Sequence, residues 1–314
     1  MKLEKKDLKI LFLGTPLIAQ TVLKGLFENG YQISCLVTQE DKPFGRKGKL
    51  KISECKEFAL EKNIPFFQPH RLRKEWEYLK NIDFNLIICI AYGQIIPDEV
   101  LSLAKYGAYN LHGSLLPKYR GAAPMQRAIM NKEKETGVTL MKMVKEMDAG
   151  EMYDKLSFKI DEDDNYSSVA LKMGEVATKL LLKDLLPLVN KEIKGIAQDE
   201  KEVTFANKIL PPDEHLPLNL SVIDTLAYIN ALSETPGAYV ILNRQKLKIF
   251  KAKAKNYLGS LSIGSLLFEK NSLSIILKDG AIEILDLQLE GKKRMPSNAF
   301  LNGYRGEKEG LFVS

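Results

Sequence analysis

The chain has 314 residues, 45% of them hydrophobic and 27% charged, with a net charge of +6. That length suits two ordinary domains with separate cores, and the composition excludes a disordered chain or a fibre. The mildly positive balance allows an acidic partner such as a nucleic acid without requiring one.

The opening MKLEKKDLKILFLGTP has a charged head and an apolar run, as a secretory signal does. The run is short, stops at Gly14-Thr15-Pro16 and has no small-residue cleavage site after it, so it is read as a polar leader and a first buried strand at 8–14. Helical spacing over 17–30 ends in a glycine, and 31–39 reads as a second strand. Strand, helix, strand is the unit of a parallel sheet. The alternation continues with a helix at 53–63, a short apolar stretch at 64–69, a helix at 73–81, the strongly apolar 84–93 and a strand at 107–113. Runs such as LIICIA suit strands covered on both faces. Two β-like runs at 136–144 and 151–160 precede a long helical pattern at 167–189.

Near residue 207 the pattern changes to a Pro-rich passage, one helix near 221–233 and several short β-like runs separated by turn residues. Short strands at regular spacing predict a small barrel. The expected architecture is α/β: a Rossmann-like, doubly wound, mostly parallel sheet domain over 1–190, a linker at 191–207 and an OB-like β-barrel at 208–314. No apolar stretch approaches the roughly 18 residues that a membrane helix needs. Cys35, Cys55 and Cys89 are odd in number and lie in apolar segments, as expected for reduced core thiols in a cytoplasmic protein. The absence of an apolar heptad pattern suggests a monomer.

The first strand-to-helix turn, Gly14-Thr15-Pro16, lacks a following G-x-G-x-x-G, which disfavours a dinucleotide-binding dehydrogenase. The richest stretch is YNLHGSLLPKYRGAAP, 109–124, where a strand runs into a Gly/Pro-rich loop. Open α/β sheets place ligands at such strand ends. Period-2 alternation points Asn110 and His112 to one face. An amide can stabilise a developing oxyanion and an imidazole can move a proton near neutral pH, although the same pair would equally cap a turn. A helix opening at Pro124 offers free N–H groups to an anion or a carbonyl, or is ordinary punctuation. Asp148, in KEMDAGEMY, sits where a hairpin turn is expected, and acquires a chemical role only if the fold brings it to the imidazole.

The loop 38–53 carries Lys42, Arg46, Lys47, Lys49 and Lys51, a pattern suited to phosphates or to a solvated surface. Lys246, Lys248, Lys251, Lys253 and Lys255 fall largely at alternate positions of the expected barrel, as one face of a strand would.

Taken together, Asn110, His112, SLLP at 114–117 and Asp148 resemble the folate-dependent formyltransferases. The resemblance implies 10-formyltetrahydrofolate as donor of a formyl group to a primary amine, with no metal. It implies that Asn110 and His112 act on the formyl carbon while Asp148 supports the imidazole. It also implies that Ser114, Leu115, Leu116 and Pro117, with Tyr92, Gly93, Gln94 and Ile95 of AYGQIIP, hold the folate. LFLGTP, TQEDKPFGRKGKL, HGSLLPKYRGAAPMQRAI and LEGKKRMPSNAFLNGYR are similar, across nearly the whole chain, to the branch of that family acting on methionyl-tRNA. This similarity implies initiator Met-tRNA as acceptor, with formyl-Met-tRNA for translation initiation as product. Lys42, Arg46, Lys47 and Lys49 would contact the tRNA. Two departures stand out: Asp148-Ala149-Gly150 replaces the commoner Asp-Thr-Gly, and 233–243 lacks tryptophans often found there. A formyltransferase acting on an amino-sugar nucleotide and a non-catalytic RNA-binding protein are the rival readings.

Overall fold

The computed structural model describes residues 2–44, 49–307 and 310–314. Their elements, in chain order, begin with β1 (Lys9–Gly14), α1 (Leu17–Glu28), β2 (Gln32–Val37), β3 (Lys42–Phe44), β4 (Lys49–Lys51), α2 (Glu54–Glu61) and β5 (Phe66–Phe67). Then come α3 (Leu72–Glu75), β6 (Leu86–Ile90), α4 (Asp98–Ser102), β7 (Ala108–His112), α5 (Pro124–Met130), β8 (Glu135–Lys142), β9 (Met152–Lys159) and α6 (Tyr166–Val189). The last stretch holds α7 (Val222–Leu232), β10 (Ala238–Leu242), β11 (Gln245–Lys255), β12 (Leu266–Phe268), β13 (Leu273–Leu277), β14 (Gly280–Leu289), β15 (Met295–Pro296) and α8 (Ser297–Gly303). The chain divides into two units: residues 1–124, 135–159 and 170–207 form the first, and 125–134, 160–169 and 208–314 the second.

The first unit is built on a seven-stranded sheet of order β5-β2-β1-β6-β7-β8-β9. Pairing is parallel from β5 to β7 and antiparallel from β7 to β9, which bears out the doubly wound, mostly parallel reading. The continuous apolar runs are the central strands: all of β6 and all but the first residue of β1 are buried, because helices cover both faces of such a sheet. In α1 the buried residues Ile18, Ala19, Val22, Leu23 and Leu26 form a single stripe. The helix stops where Gly30 takes a positive φ of 79°. Two small residues let α1 lie close to α6: a Cβ on Gly25 would sit 2.3 Å from Thr178, and one on Gly174 3.1 Å from Thr21. The helix expected at 73–81 is instead the short α3 followed by a 3-10 turn at Trp76–Asn81. Leu72 and Leu79 alone are buried there, too few to sustain an α-helical stripe.

β1 lies between β2 and β6, so the chain leaves it in one direction and returns on its other side. The carboxyl ends of β1 and β6 therefore flank a topological switch point, where open α/β sheets bind ligands. At these ends lie Gly14-Thr15-Pro16, beginning with the last residue of β1, and Ala91-Tyr92-Gly93-Gln94, just after β6.

In the second unit the antiparallel order is β10-β11-β14-β13-β12, with β15 paired to β14. Residues 311–314 bridge the two outer strands: Leu311 and Val313 exchange backbone hydrogen bonds with Leu266 and Gly264, while Ser314 pairs with Ile241 of β10. That closure makes the expected barrel, covering part of the outer edges of β10 and β12. Its core includes Leu247, Ile249, Ile275, Ile282, Ile284 and Leu287.

The barrel lysines change parity between Lys248 and Lys251, and the register of β11 against β14 slips at Ile249/Lys251 and Lys251/Ala252. A bulge there keeps lysines outward on both sides of the irregularity. Their charge is largely engaged already: Lys253 pairs with Glu283 at 3.3 Å, Lys255 with Glu269, and Lys248 Nζ donates to the Pro236 carbonyl at 2.5 Å.

Candidate active site

β7 ends in Asn110-Leu111-His112, held between β6 and β8 by the pairs Cys89↔Asn110, Asn110↔Met141 and His112↔Thr139. The backbone of both residues is fixed by the sheet, so their side chains are aimed by strand geometry. His112 is 5% exposed. Its Nε2 lies 2.9 Å from the Tyr119 carbonyl oxygen. A carbonyl only accepts, so this network puts the hydrogen on Nε2. Nδ1 faces Asp148 Oδ2 at 3.5 Å, close enough for charge interaction and long for a hydrogen bond. Asp148 Oδ2 also accepts from the Gly121 backbone N–H at 2.8 Å. The turn expected at Asp148 is real, since its φ is +54°, a conformation that aspartate tolerates better than most residues. The turn nonetheless brings the carboxylate to the imidazole.

The Asn110 side chain is half-buried and has no hydrogen-bond partner among the described residues. A strand-end amide with two unused donors, on the same strand face as an imidazole whose Nδ1 faces a carboxylate, is a donor set matched to a carbonyl that gains negative charge. This donor set fits an acyl-bearing cosubstrate.

The SLLP turn is tied down by its own surroundings. Thr139 Oγ1 accepts from Leu116 N at 3.0 Å and donates to the Ser114 carbonyl at 2.7 Å, while Ser114 Oγ donates to the Lys118 carbonyl at 2.6 Å. Leu116 is buried with Met141 and Met152. Lys155 Nζ donates to the Leu116 carbonyl. Burial lowers the pKa of this ammonium, with Glu202 opposing. Ser114 and Leu116 thus hold the turn in shape, and the Ser114 hydroxyl is spent on the Lys118 carbonyl rather than on a base.

The AYGQ turn is fixed from the other side. Thr15 Oγ1 and Gln39 Nε2 both donate to the Tyr92 carbonyl, at 3.0 and 2.8 Å. Gly93 has a φ of +85°, and a Cβ there would come within 2.3 Å of Gln39 Nε2, so glycine is required. The Tyr92 ring packs in the sheet core, with its hydroxyl unpartnered among the described residues. The Gln94 carboxamide is engaged by Leu72 N and the Pro69 carbonyl at 2.8 and 3.1 Å. Ile95, 74% exposed, presents apolar surface. In this turn the open groups are main chain and Ile95, while the Tyr92 and Gln94 side chains brace it.

Lys42 and Lys49 fall on the hairpin β3–β4, paired as Lys42↔Lys51 and Phe44↔Lys49. Arg46 and Lys47 lie outside the described residues. The base of the hairpin is anchored at Asp41, which accepts from Lys56 Nζ at 2.6 Å and Gln68 Nε2 at 2.9 Å. Sequence reading missed Tyr119, Arg120 and Gln198. Arg120 is buried and donates from Nε to Gln198 Oε1 at 2.9 Å. No local pattern marks these three, because their partners lie far along the chain or are backbone atoms. Among the described residues no group of three or more His, Cys, Asp or Glu side chains could hold a metal ion.

Residues 8–185 match the formyl transferase family and residues 208–305 the formyl transferase C-terminal domain. A methionyl-tRNA formyltransferase of Malacoplasma penetrans is 40% identical, covering 98% of this chain and 96% of its own length. One from Lactobacillus delbrueckii subsp. bulgaricus is 42% identical, covering 95% and 96%. Among solved structures, HypX from Aquifex aeolicus superposes with a TM-score of 0.69 at 18% identity, over 94% of this chain and 49% of that one. The sugar 3N-formyl transferase WlaRD superposes with a TM-score of 0.67 at 23% identity, over 91% of this chain and 99% of its own. These two show a shared fold. By both matched domains and by its near full-length identity to these relatives, the chain belongs to the methionyl-tRNA formyltransferase family.

Proposed function

We propose that the chain transfers a formyl group from 10-formyltetrahydrofolate to the α-amine of methionine carried on initiator tRNA. The observation that carries this reading is the meeting of His112 and Asp148 at 3.5 Å beside the open Asn110 amide. Residues 1–190 would hold the catalytic site and residues 208–314 would bind tRNA, joined through 191–207. The folate supplies the activated formyl group. The main chain of Gly93 and Ile95, with the Ile95 side chain, would hold it together with the turn formed by Ser114, Leu115, Leu116 and Pro117. Tyr92 and Gln94 would serve by shaping their loop.

Asn110 donates a hydrogen bond to the formyl oxygen as negative charge develops there. Nδ1 of His112 is the ring nitrogen able to take a proton from the attacking amine and pass it to the folate nitrogen that departs as its bond to the formyl carbon breaks, because Nε2 keeps its hydrogen on the Tyr119 carbonyl. Asp148 stabilises the charge that the ring then carries and holds it in orientation. No covalent enzyme intermediate is required, because an amine is itself a sufficient nucleophile. The three cysteines are all buried. Burial raises their thiol pKa values, for Cys35 and Cys89 to about 12, which leaves them inert.

Lys42, Arg46, Lys47 and Lys49 would engage the tRNA acceptor end by charge. Arg46→Ala is expected to weaken the use of Met-tRNA far more than folate binding. Measuring the KM for tRNA and the Kd for folate separately tests this, and equal losses would count against it. The reading as a whole is tested by supplying purified protein with 10-formyltetrahydrofolate and either Met-tRNA or an amino-sugar nucleotide, and identifying the formylated product.

A further inference from the structure

We propose that Gln198 is a positioning residue for formyl transfer, acting through the turn that carries Asp148 and through Arg120. The inference rests on the reading that His112 and Asp148 work as a pair. The Gln198 carboxamide is buried. Its nitrogen donates to the carbonyls of Asp148 at 2.7 Å and Gly150 at 2.9 Å, and its oxygen accepts from Arg120 Nε at 2.9 Å. A single side chain thus grips the turn on both sides of Ala149.

The second arm of the clamp reaches the same pair. Arg120 lies between the two backbone groups that touch it: Tyr119 offers its carbonyl to His112 Nε2, and Gly121 offers its N–H to Asp148 Oδ2. Arg120 is itself held from the segment carrying Gln198. Its guanidinium is bonded by Glu200 at 2.8 and 3.3 Å, its N–H donates to the Thr204 carbonyl at 2.9 Å, and its carbonyl accepts from Ala206 N at 2.7 Å. The stretch 198–206 is therefore the mount on which both members of the pair are registered. By contrast, the turn holds itself weakly, through Ala149 N to the Glu146 carbonyl at 3.4 Å, and Met147 beside Asp148 is exposed.

An amide is required at 198 because two N–H donors on one atom meet two carbonyls while the oxygen meets a donor. Glutamate has the same shape and keeps an acceptor for Arg120. It would set a carboxylate oxygen against two carbonyl oxygens and release the turn. Gln198→Glu thus separates the clamp from the packing, and Gln198→Met removes both arms without adding charge.

The test uses the full-length chain with Met-tRNA and 10-formyltetrahydrofolate. In Gln198→Glu we expect kcat to fall about 10²-fold, the scale of a misplacement of about 1 Å in a catalytic group, with KM for both substrates little changed. In an Asp148→Asn background the same substitution should cost little further, because residues acting through one another are not additive. In the unsubstituted protein both side-chain amide protons of Gln198 should exchange slowly with solvent by NMR. A folded Gln198→Glu or Gln198→Met protein with undiminished kcat overturns the inference. So does a loss of the same size in both backgrounds, or exchange of the Gln198 amide protons at the rate of exposed glutamine. His112→Ala separates the two levels: undiminished turnover there would sink the site reading and this inference with it. An inactive His112→Ala beside a fully active Gln198→Glu would sink the inference alone.

Discussion

Asn110, His112 and Asp148 are placed by three different structural features: strand alternation, a sheet-fixed strand end and a left-handed turn residue that brings Asp148 within 3.5 Å of His112. Each role makes a separate prediction. Asn110→Ala should lower kcat about 10² to 10³-fold, the cost of one oxyanion donor, while folate binding, measured by equilibrium titration, stays in place. Loss of folate affinity with kcat retained would reassign Asn110 to binding. His112→Ala should cost about 10² to 10⁴-fold in turnover. The identities and the shared face of Asn110 and His112 were legible in the sequence, because period-2 alternation is local. The approach of Asp148 was legible only through the family resemblance, and the parts played by Tyr119 and Gln198 were not legible at all. Gln198 lies 50 residues from the carbonyl it holds, and a backbone carbonyl carries no sequence signature. Tyr92 and Gln94 show the converse: their place in the loop after β6 was legible, but which of their atoms are left open is decided by Leu72, Pro69 and the core.

At the scale of elements, the turn between β8 and β9 has little room. A Cβ on Gly150 would stand 1.9 Å from the Lys142 carbonyl oxygen, a backbone atom that cannot move without disturbing β8. Gly150→Ala should therefore destabilise the protein by about 1–3 kcal/mol, as overpacking does, and lower turnover through Asp148. Unchanged thermal stability and unchanged kcat would show that the turn is looser than described. A second element-level test concerns α6 against β9. Burial and the neighbouring Asp154 push Asp184 up to about 6 from an ordinary 3.8. Between those values the folded state binds more protons than the unfolded one. The stabilisation is fully present below about pH 4 and lost as pH rises through about 6. Denaturant titrations at a series of pH values should show this slope in the parent protein and a flatter one in Asp184→Asn. Equal slopes would contradict it. The parallel strands and long helices were legible from apolar runs and 3.6 periodicity. The closing of the barrel by 311–314 was not, because four residues with no alternation partner carry too little pattern to read as a strand.

For the whole molecule, charge and domain extent say less about the acceptor than the sequence suggested. Lys248, Lys253 and Lys255 are already engaged by a carbonyl and by acidic partners, so the barrel face is less positive than a count of lysines implies. WlaRD, named for sugar formylation, covers 91% of this chain, so a second domain alone does not select tRNA. What favours Met-tRNA is 40% identity to a methionyl-tRNA formyltransferase across 98% of the chain, together with the basic stretch at 42–51. If phosphates are gripped there, KM for Met-tRNA should rise steeply with salt while KM for folate does not, and the slope of log KM against log salt should be shallower in Arg46→Ala. A salt-independent KM for Met-tRNA would remove the basic stretch from substrate binding.

The most direct test is formylation by the purified full-length chain, with 10-formyltetrahydrofolate as donor and initiator Met-tRNA, elongator Met-tRNA and an amino-sugar nucleotide offered in parallel, beside a His112→Ala control. Formyl-methionine on initiator tRNA, abolished in the control, is the predicted result. Formylation of the sugar nucleotide alone, or of Met-tRNA at equal rates with and without His112, would contradict it.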